Sequence, residues 1–122
     1  MKLLLDTHIV LWALNDDPAL KPAMRTSIQT AEVIFVSAVS IWEIAVKRSL
    51  GKLEVPDNLA ELVLRAGCQP LPISWAHAAD AGQLPRHHKD PFDHLLIAQA
   101  RCESLALATV DRMFSQYKVD LL

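Results

Sequence analysis

Four acids stand where a carboxylate needs a reason. Asp6 follows Lys2-Leu3-Leu4-Leu5, and Glu43 lies within Ser40-Ile41-Trp42-Glu43-Ile44-Ala45. Asp93 lies within Asp90-Pro91-Phe92-Asp93-His94-Leu95-Leu96, and Asp111 follows Leu107-Ala108-Thr109-Val110. Ionised carboxylates are seldom buried unless a partner or a metal offsets their lost hydration. Gathered in one place, the four would form a hard-oxygen pocket suited to Mg²⁺ or Mn²⁺, which use few carboxylates and keep several waters. A pair of such cations activates water and steadies a leaving oxygen in phosphodiester hydrolysis. Thr7 and Thr109 put hydroxyls beside the two strand-end acids, able to orient a carboxylate or a water, or simply to satisfy local backbone.

Each acid also has a simpler reading. Asp6 and Asp111 end apolar runs and can cap the helix or turn behind them. Ser40-x-x-Glu43 has capping-box spacing, and Glu43 can pair with Lys47 one helical turn on. Asp93 is the third helical residue after an Asp90 cap, near the positive end of the helix dipole. Capping suffices for Glu43 and Asp93 taken singly, and Asp6 and Asp111 are balanced between cap and ligand. The ligand reading depends on convergence.

Convergence is set by the elements between the acids. Leu3–Leu5 reads as a buried strand, followed by an apolar helix over Ile9–Leu14 that stops near Asn15-Asp16-Asp17-Pro18. Pro22 to about Thr30 is a second helix and Val33–Val36 a β-branched and aromatic strand. Ser37 or Ser40 caps a helix to about Leu50, with Gly51 as its stop, and Asp57 is expected to cap another ending at Gly67. Pro70–Ile73 fits at most an edge strand, and Trp75–Ala81 a short helix closed by Gly82. The firmest boundary is Asp90-Pro91, an N-cap acid with proline at the first helical position, opening a helix to about Glu103. Leu105–Val110 and Val119–Leu122 complete the strands. Alternating strands and helices imply an α/β fold, a mostly parallel sheet covered on both faces. Right-handed crossovers then bring the strands' C-terminal ends to one edge, where ligands bind.

The bulk properties agree with one domain. A chain of 122 residues buries about two-thirds of its unfolded surface. With 52% hydrophobic and 21% charged residues it is not disordered, and a net charge of −2 gives no global attraction to nucleic acid or anionic membrane. Cys68 and Cys102 lack metal-ligand spacing and read as buried free thiols of a reducing, cytoplasmic compartment. Asp6 and His8 interrupt the N-terminal apolar stretch, so no signal peptide is expected, and no run is long enough to span a membrane.

Read together, Leu3-Leu4-Leu5-Asp6-Thr7, Ser37…Ile41-Trp42-Glu43-Ile44, Asp90-Pro91-Phe92-Asp93-His94-Leu95-Leu96-Ile97-Ala98-Gln99-Ala100 and Thr109-Val110-Asp111 resemble a PIN domain, and more narrowly the VapC-like toxins of bacterial toxin–antitoxin pairs. The resemblance covers essentially the whole chain, and the Asp90–Ala100 block is its most specific part. Val110 stands where the commoner motif has alanine. The resemblance implies a three-layer α/β/α sandwich and an endoribonuclease dependent on Mg²⁺, with Mn²⁺ as substitute. Asp6, Glu43, Asp93 and Asp111 would be its catalytic and metal-binding quartet, with Asp90 a helix cap first and a site residue second. It further implies an RNA substrate, a cognate antitoxin as partner, and a homodimer.

Other features fit around that core. Arg86, His87, His88 and Lys89 form a basic stretch before Asp90, and Lys47 with Arg48 and Lys52 a second group after Glu43; either could hold an RNA backbone or be solvated surface. His8 and His94 lack zinc-ligand spacing. Trp12 and Trp42 read as core rather than base-stacking platforms, and the first helices could form an apolar groove for a partner helix. Two alternatives compete with the nuclease. A receiver-like phosphoacceptor needs adjacent acids after the first strand and a lysine after a late one, yet Thr7 follows Asp6 and no lysine ends the Leu105–Val110 run. A catalytically inactive interaction module would leave four mutually repelling carboxylates without a cation.

Overall fold

Leu3, Leu4 and Leu5 are all buried in β1 (Lys2–Leu5), so the first strand must lie inside a sheet covered on both faces. The computed structural model describes residues 1–122 and places it there. β1 pairs in parallel with β2 (Val33–Ser37) on one side and β4 (Ala106–Ala108) on the other, and β3 (Gln69–Leu71) adds in parallel to β2. The spatial order is β3-β2-β1-β4. Six helices connect and cover the sheet: α1 (Thr7–Leu14), α2 (Pro22–Thr30), α3 (Ala38–Ser49), α4 (Leu59–Arg65), α5 (Trp75–Gln83) and α6 (Pro91–Cys102).

The strand period of two sorts the core into two halves. Leu4 and Leu107 join Val39, Leu96, Ile97, Ala100, Phe114 and Tyr117 on one face. Leu5, Val36 and Ala108 join Ile9, Val10, Leu20, Ile44, Leu59 and Val63 on the other. The result is the expected three-layer α/β/α sandwich. Beyond the last carbonyl of α3, Gly51 takes φ +71, a left-handed turn that non-glycine residues enter at a cost.

Several local expectations are corrected. α1 starts at Thr7 rather than Ile9, because Asp6 caps it directly. Asp57 does not cap α4: its carboxylate pairs with Arg48, and the capping position falls on Asn58, whose side chain makes no cap bond. Gly82 lies inside α5, which ends at Gln83. β4 is confined to Ala106–Ala108, and the C-terminal stretch contributes only a single bridge, Leu107 to Leu121. A 3-10 turn over Arg112–Gln116, capped by Asp111, lies between them. Trp42 is 55% exposed rather than core, and Cys102 is exposed while Cys68 is half-buried. A cleft between α1 and α4 is lined by Leu11, Leu14, Val55, Leu59 and Leu62. No helix is long and apolar enough to cross a membrane.

Candidate active site

The parallel register of β1 and β4 aligns Leu5 with Ala108, so Asp6 and Thr109 emerge side by side at the C-terminal edge of the sheet. The backbone amide of Asp6 donates to the Ala108 carbonyl at 2.9 Å, locking the two strand ends together. Asp6 is buried, and both of its carboxylate oxygens are engaged. Oδ1 accepts from the Thr7 amide at 2.7 Å, and Oδ2 from the Thr109 hydroxyl at 2.8 Å. Thr109 Oγ1 in turn accepts from the Asp111 amide at 3.1 Å. Asp111 itself is exposed and uses Oδ1 to accept from the Met113 amide at 2.9 Å. Its link to Asp6 runs through Thr109.

Glu43 reaches the same edge from α3. It is 4% exposed, and its Oε1 accepts from the Thr7 hydroxyl at 2.8 Å while Oε2 accepts from Lys47 Nζ at 2.7 Å. Ser40 Oγ lies 2.9 Å from Thr7 Oγ1. Thr7 has one hydroxyl proton and spends it on Glu43, so Ser40 is the donor to Thr7. Ser40 is therefore not the capping-box partner that its spacing suggested. Ser37 caps α3 by accepting from the Val39 amide. Thr7 thus ties Asp6 to Glu43, its amide holding one acid and its hydroxyl the other.

Asp93 comes from the first turn of α6, whose start is fixed by Asp90 and Pro91. Asp90 Oδ1 accepts from the Phe92 amide at 2.8 Å and the Asp93 amide at 3.3 Å, so Asp90 is a helix cap, its first expected role. Asp93 Oδ2 meets His88 Nε2 at 2.5 Å. His88 stands out in the sequence only as part of the basic stretch before Asp90, not as a partner of Asp93. It lies in an irregular loop, where no periodicity says which way a side chain turns.

The electrostatics show that these groups share one environment. Burial pushes the Asp6 carboxyl above the ordinary range, against the bonds from Thr109 and Thr7, and the charge of Glu43 adds to the rise. Asp93 is pushed up to about 7, chiefly by burial; the His88 bond opposes this, and the charges of Asp90 and Asp6 reinforce it. The bond to Glu43 raises Lys47, and Asp90 and Asp93 add to that. Asp6, Glu43 and Asp93 therefore lie close enough at the C-terminal sheet edge for their charges to act on one another, directly or through Lys47. Asp111 is tied to this group only through Thr109.

The basic loop is less committed. Arg86, His87 and Lys89 are exposed between α5 and α6, with the His87 ring packed edge-on against Tyr117 at a centroid separation of 5.4 Å. Lys47, expected both among these contacts and as a partner of Glu43, pairs with Glu43 Oε2 and keeps its side chain partly exposed. Hard carboxylate oxygens on a buried, like-charged pocket are the donor chemistry that Mg²⁺ and Mn²⁺ accept, so the residues fit such a cation.

Comparison with known proteins places the chain in a family and a fold. Residues 3–120 match the family model described as PIN domain. Ribonuclease VapC22 of Mycobacterium tuberculosis is 30% identical over 123 residues, covering 94% of this chain and 91% of the relative. Ribonuclease VapC16 of the same organism is 38% identical over 71 residues, covering 55% of this chain and only 46% of the relative. VapBC2 from Rickettsia felis, solved bound to a DNA fragment from their promoter, superposes with a TM-score of 0.74 at 16% identity, over 100% of this chain and 97% of the matched one. DNA-bound VapBC from Salmonella typhimurium gives a TM-score of 0.73 at 16% identity, over 99% and 96%. At such identities the solved structures share the fold. With the family model spanning nearly the whole sequence and a full-length relative at its side, the chain belongs to the PIN domain family, among its VapC-like members.

Proposed function

We propose that the chain is a divalent-cation-dependent endoribonuclease, the toxin of a toxin–antitoxin pair. The observation that carries this is the burial of Asp6, Glu43 and Asp93 at the C-terminal sheet edge, close enough for their charges to act on one another. Buried like charges of this kind are relieved by taking up a proton or by a bound cation, and only the cation leaves the carboxylates ionised. Asp6 and Asp93 would hold Mg²⁺, or Mn²⁺ in its place, with Asp111 and Glu43 completing the set. When bound, the cation lowers the pKa of water and offsets charge on phosphoryl oxygens.

The chain's own residues do the rest. Thr7 and Thr109 fix the rotamers of Asp6 and Glu43, so the oxygens are preorganised rather than recruited. Glu43, restrained by Lys47, orients a water at the mouth of the pocket, and Asp111 closes the exposed side. Arg86, His87 and Lys89 offer the phosphate backbone of RNA its contacts beside Asp90. The apolar cleft between α1 and α4 offers a cognate antitoxin an amphipathic docking surface. A homodimer and a cytoplasmic setting complete the reading.

The test is RNA cleavage by the purified protein with Mg²⁺ or Mn²⁺, with the ends mapped. Cleavage leaving 5′-phosphate and 3′-hydroxyl ends, lost in chelator and in the Asp6→Asn/Asp93→Asn double variant, is the expected result. Full cleavage by that variant, or indifference to chelator, would overturn it. A protein that binds cations and antitoxin but never cuts RNA is the inactive module.

A further inference from the structure

His88 is held at both ends of its backbone by groups outside its own loop. Its amide donates to the Tyr117 hydroxyl at 2.9 Å, and its carbonyl oxygen lies 2.5 Å from His94 Nε2. Tyr117 is buried in the core beside α6, and His94 is itself buried on α6 one position after Asp93. The loop is thus pinned to the same helix that presents Asp93. Fixing the backbone in this way leaves the imidazole few places to go, and it goes to Asp93, 2.5 Å away.

A third donor lies within reach. Asp90 uses Oδ1 for capping α6 and makes no hydrogen bond through Oδ2. One ligand atom from each of His88, Asp90 and Asp93 lies within 4.8 Å of the other two. An ion pair between His88 and Asp93 would account for their contact alone. It does not account for a third ligand-type group, the Asp90 carboxylate, within the same reach, nor for a loop bolted to the core at the residue that carries the nitrogen.

We propose that His88, Asp90 and Asp93 form a mixed nitrogen–oxygen site for a first-row transition cation such as Mn²⁺, with His88 a direct ligand. Imidazole nitrogen is a donor that transition cations accept and Mg²⁺ does not favour, so His88 makes this end of the pocket selective among divalent cations. The proposal builds on the reading of Asp93 as a cation ligand. It adds the identity of a ligand and the class of ion preferred.

The experiment loads the full chain with Mn²⁺ alone and records pulsed electron paramagnetic resonance, which detects ¹⁴N coupling from a directly bound imidazole. Coupling is expected in the native protein and is expected to vanish in His88→Ala. The same variant should weaken Mn²⁺ binding about tenfold or more, by titration calorimetry, while changing Mg²⁺ binding by less than about threefold. Mn²⁺ that binds the native protein, is lost in Asp93→Asn, and shows no nitrogen coupling overturns the role of His88 but leaves the cation-dependent nuclease standing. Coupling that persists in His88→Ala overturns it equally, by assigning the nitrogen to another histidine. Failure of the native protein to bind any Mn²⁺ or Mg²⁺ overturns both. Should His88→Ala not fold, His88→Gln makes the same comparison, since it keeps a polar side chain in the loop and removes the imidazole.

Discussion

The Thr109 hydroxyl donates to Asp6 Oδ2 at 2.8 Å, joining residues 103 positions apart through the adjacent ends of β4 and β1. Threonine is the residue that can do this and also accept the Asp111 amide, because its hydroxyl is both donor and acceptor. Valine has the same shape and neither function. Thr109→Val should therefore destabilise the cation-free protein by about 1.5–3 kcal/mol, the range for a hydrogen bond to a charged group. Urea denaturation in chelator measures it, and a loss under about 0.5 kcal/mol would mean that water replaces the hydroxyl.

Asp93 gives the stability a pH dependence of defined sign. Its carboxyl is pushed up to about 7 in the fold, chiefly by burial, against an ordinary value of 3.8. Between those values the folded chain holds a proton that the unfolded chain has released. The group's contribution is full below the ordinary value and is lost as pH rises through about 7. Without cation, native protein should lose stability relative to Asp93→Asn between about pH 5 and about pH 8. Cations must displace that proton, so their affinity should rise over the same interval. Parallel urea midpoints for the two proteins across the interval would refute this.

Cation binding should register as stability. A ligand that binds only the folded state adds about 2.7 kcal/mol at a hundred times its Kd. Mn²⁺ or Mg²⁺ should raise Tm in a concentration-dependent way, and Asp6→Asn with Asp93→Asn should abolish the rise. The same double variant should be no less stable than the native protein in chelator, since it removes two buried like charges. A native Tm unmoved by millimolar Mn²⁺ would count against a cation in this pocket.

Gln99 supports the sheet edge from further along α6, the helix that also carries Asp93. It is fully buried, its Oε1 accepts from the Ser37 hydroxyl, and its Nε2 donates to the Pro72 carbonyl at 3.3 Å. That side chain therefore joins the ends of β2 and β3 to α6. Gln99→Met keeps the volume and strands both partners, which should cost about 1–3 kcal/mol. Chemical denaturation checks this, and a change within experimental error would show that the core repacks around them.

What was legible in the chain depended on whether a local signal and a tertiary contact agreed. Asp90-Pro91 marks the start of α6 to the residue because capping and proline chemistry are both local. Leu3–Leu5 as a central strand, and hence Asp6 at the sheet edge, follows from a run apolar on both faces. Asp57 misled because Arg48, nine positions away and close in space, outcompetes the helix amides for its carboxylate. Ser40 and Glu43 have capping-box spacing, yet Thr7 from another helix takes both. Trp42 read as core because its sequence neighbours are apolar, while the helix phase turns it outward. His88 showed in the sequence only as one member of a basic stretch, since it is the fold of its loop against Tyr117 and His94 that brings it to Asp93.

The exposed tryptophans separate surface area from structural work. Trp75 is 95% exposed at the start of α5, so Trp75→Ala should change stability by less than about 0.5 kcal/mol. Trp42 is 55% exposed, but its ring packs edge-on against Phe92 at a centroid separation of 4.9 Å. Phe92 immediately precedes Asp93 in the first turn of α6, and this pair braces α3 against α6 beside the acids that each helix contributes. An aromatic pair of this geometry adds about 0.5–1.5 kcal/mol beyond its buried area. Trp42→Ala should cost at least that much and should also weaken Mn²⁺ binding, because the turn carrying Asp93 loses its brace. Trp42→Phe should recover most of both. Denaturation and calorimetric titration of the three variants make the comparison. Equal effects of the two alanine substitutions would show that Trp42, too, is only surface.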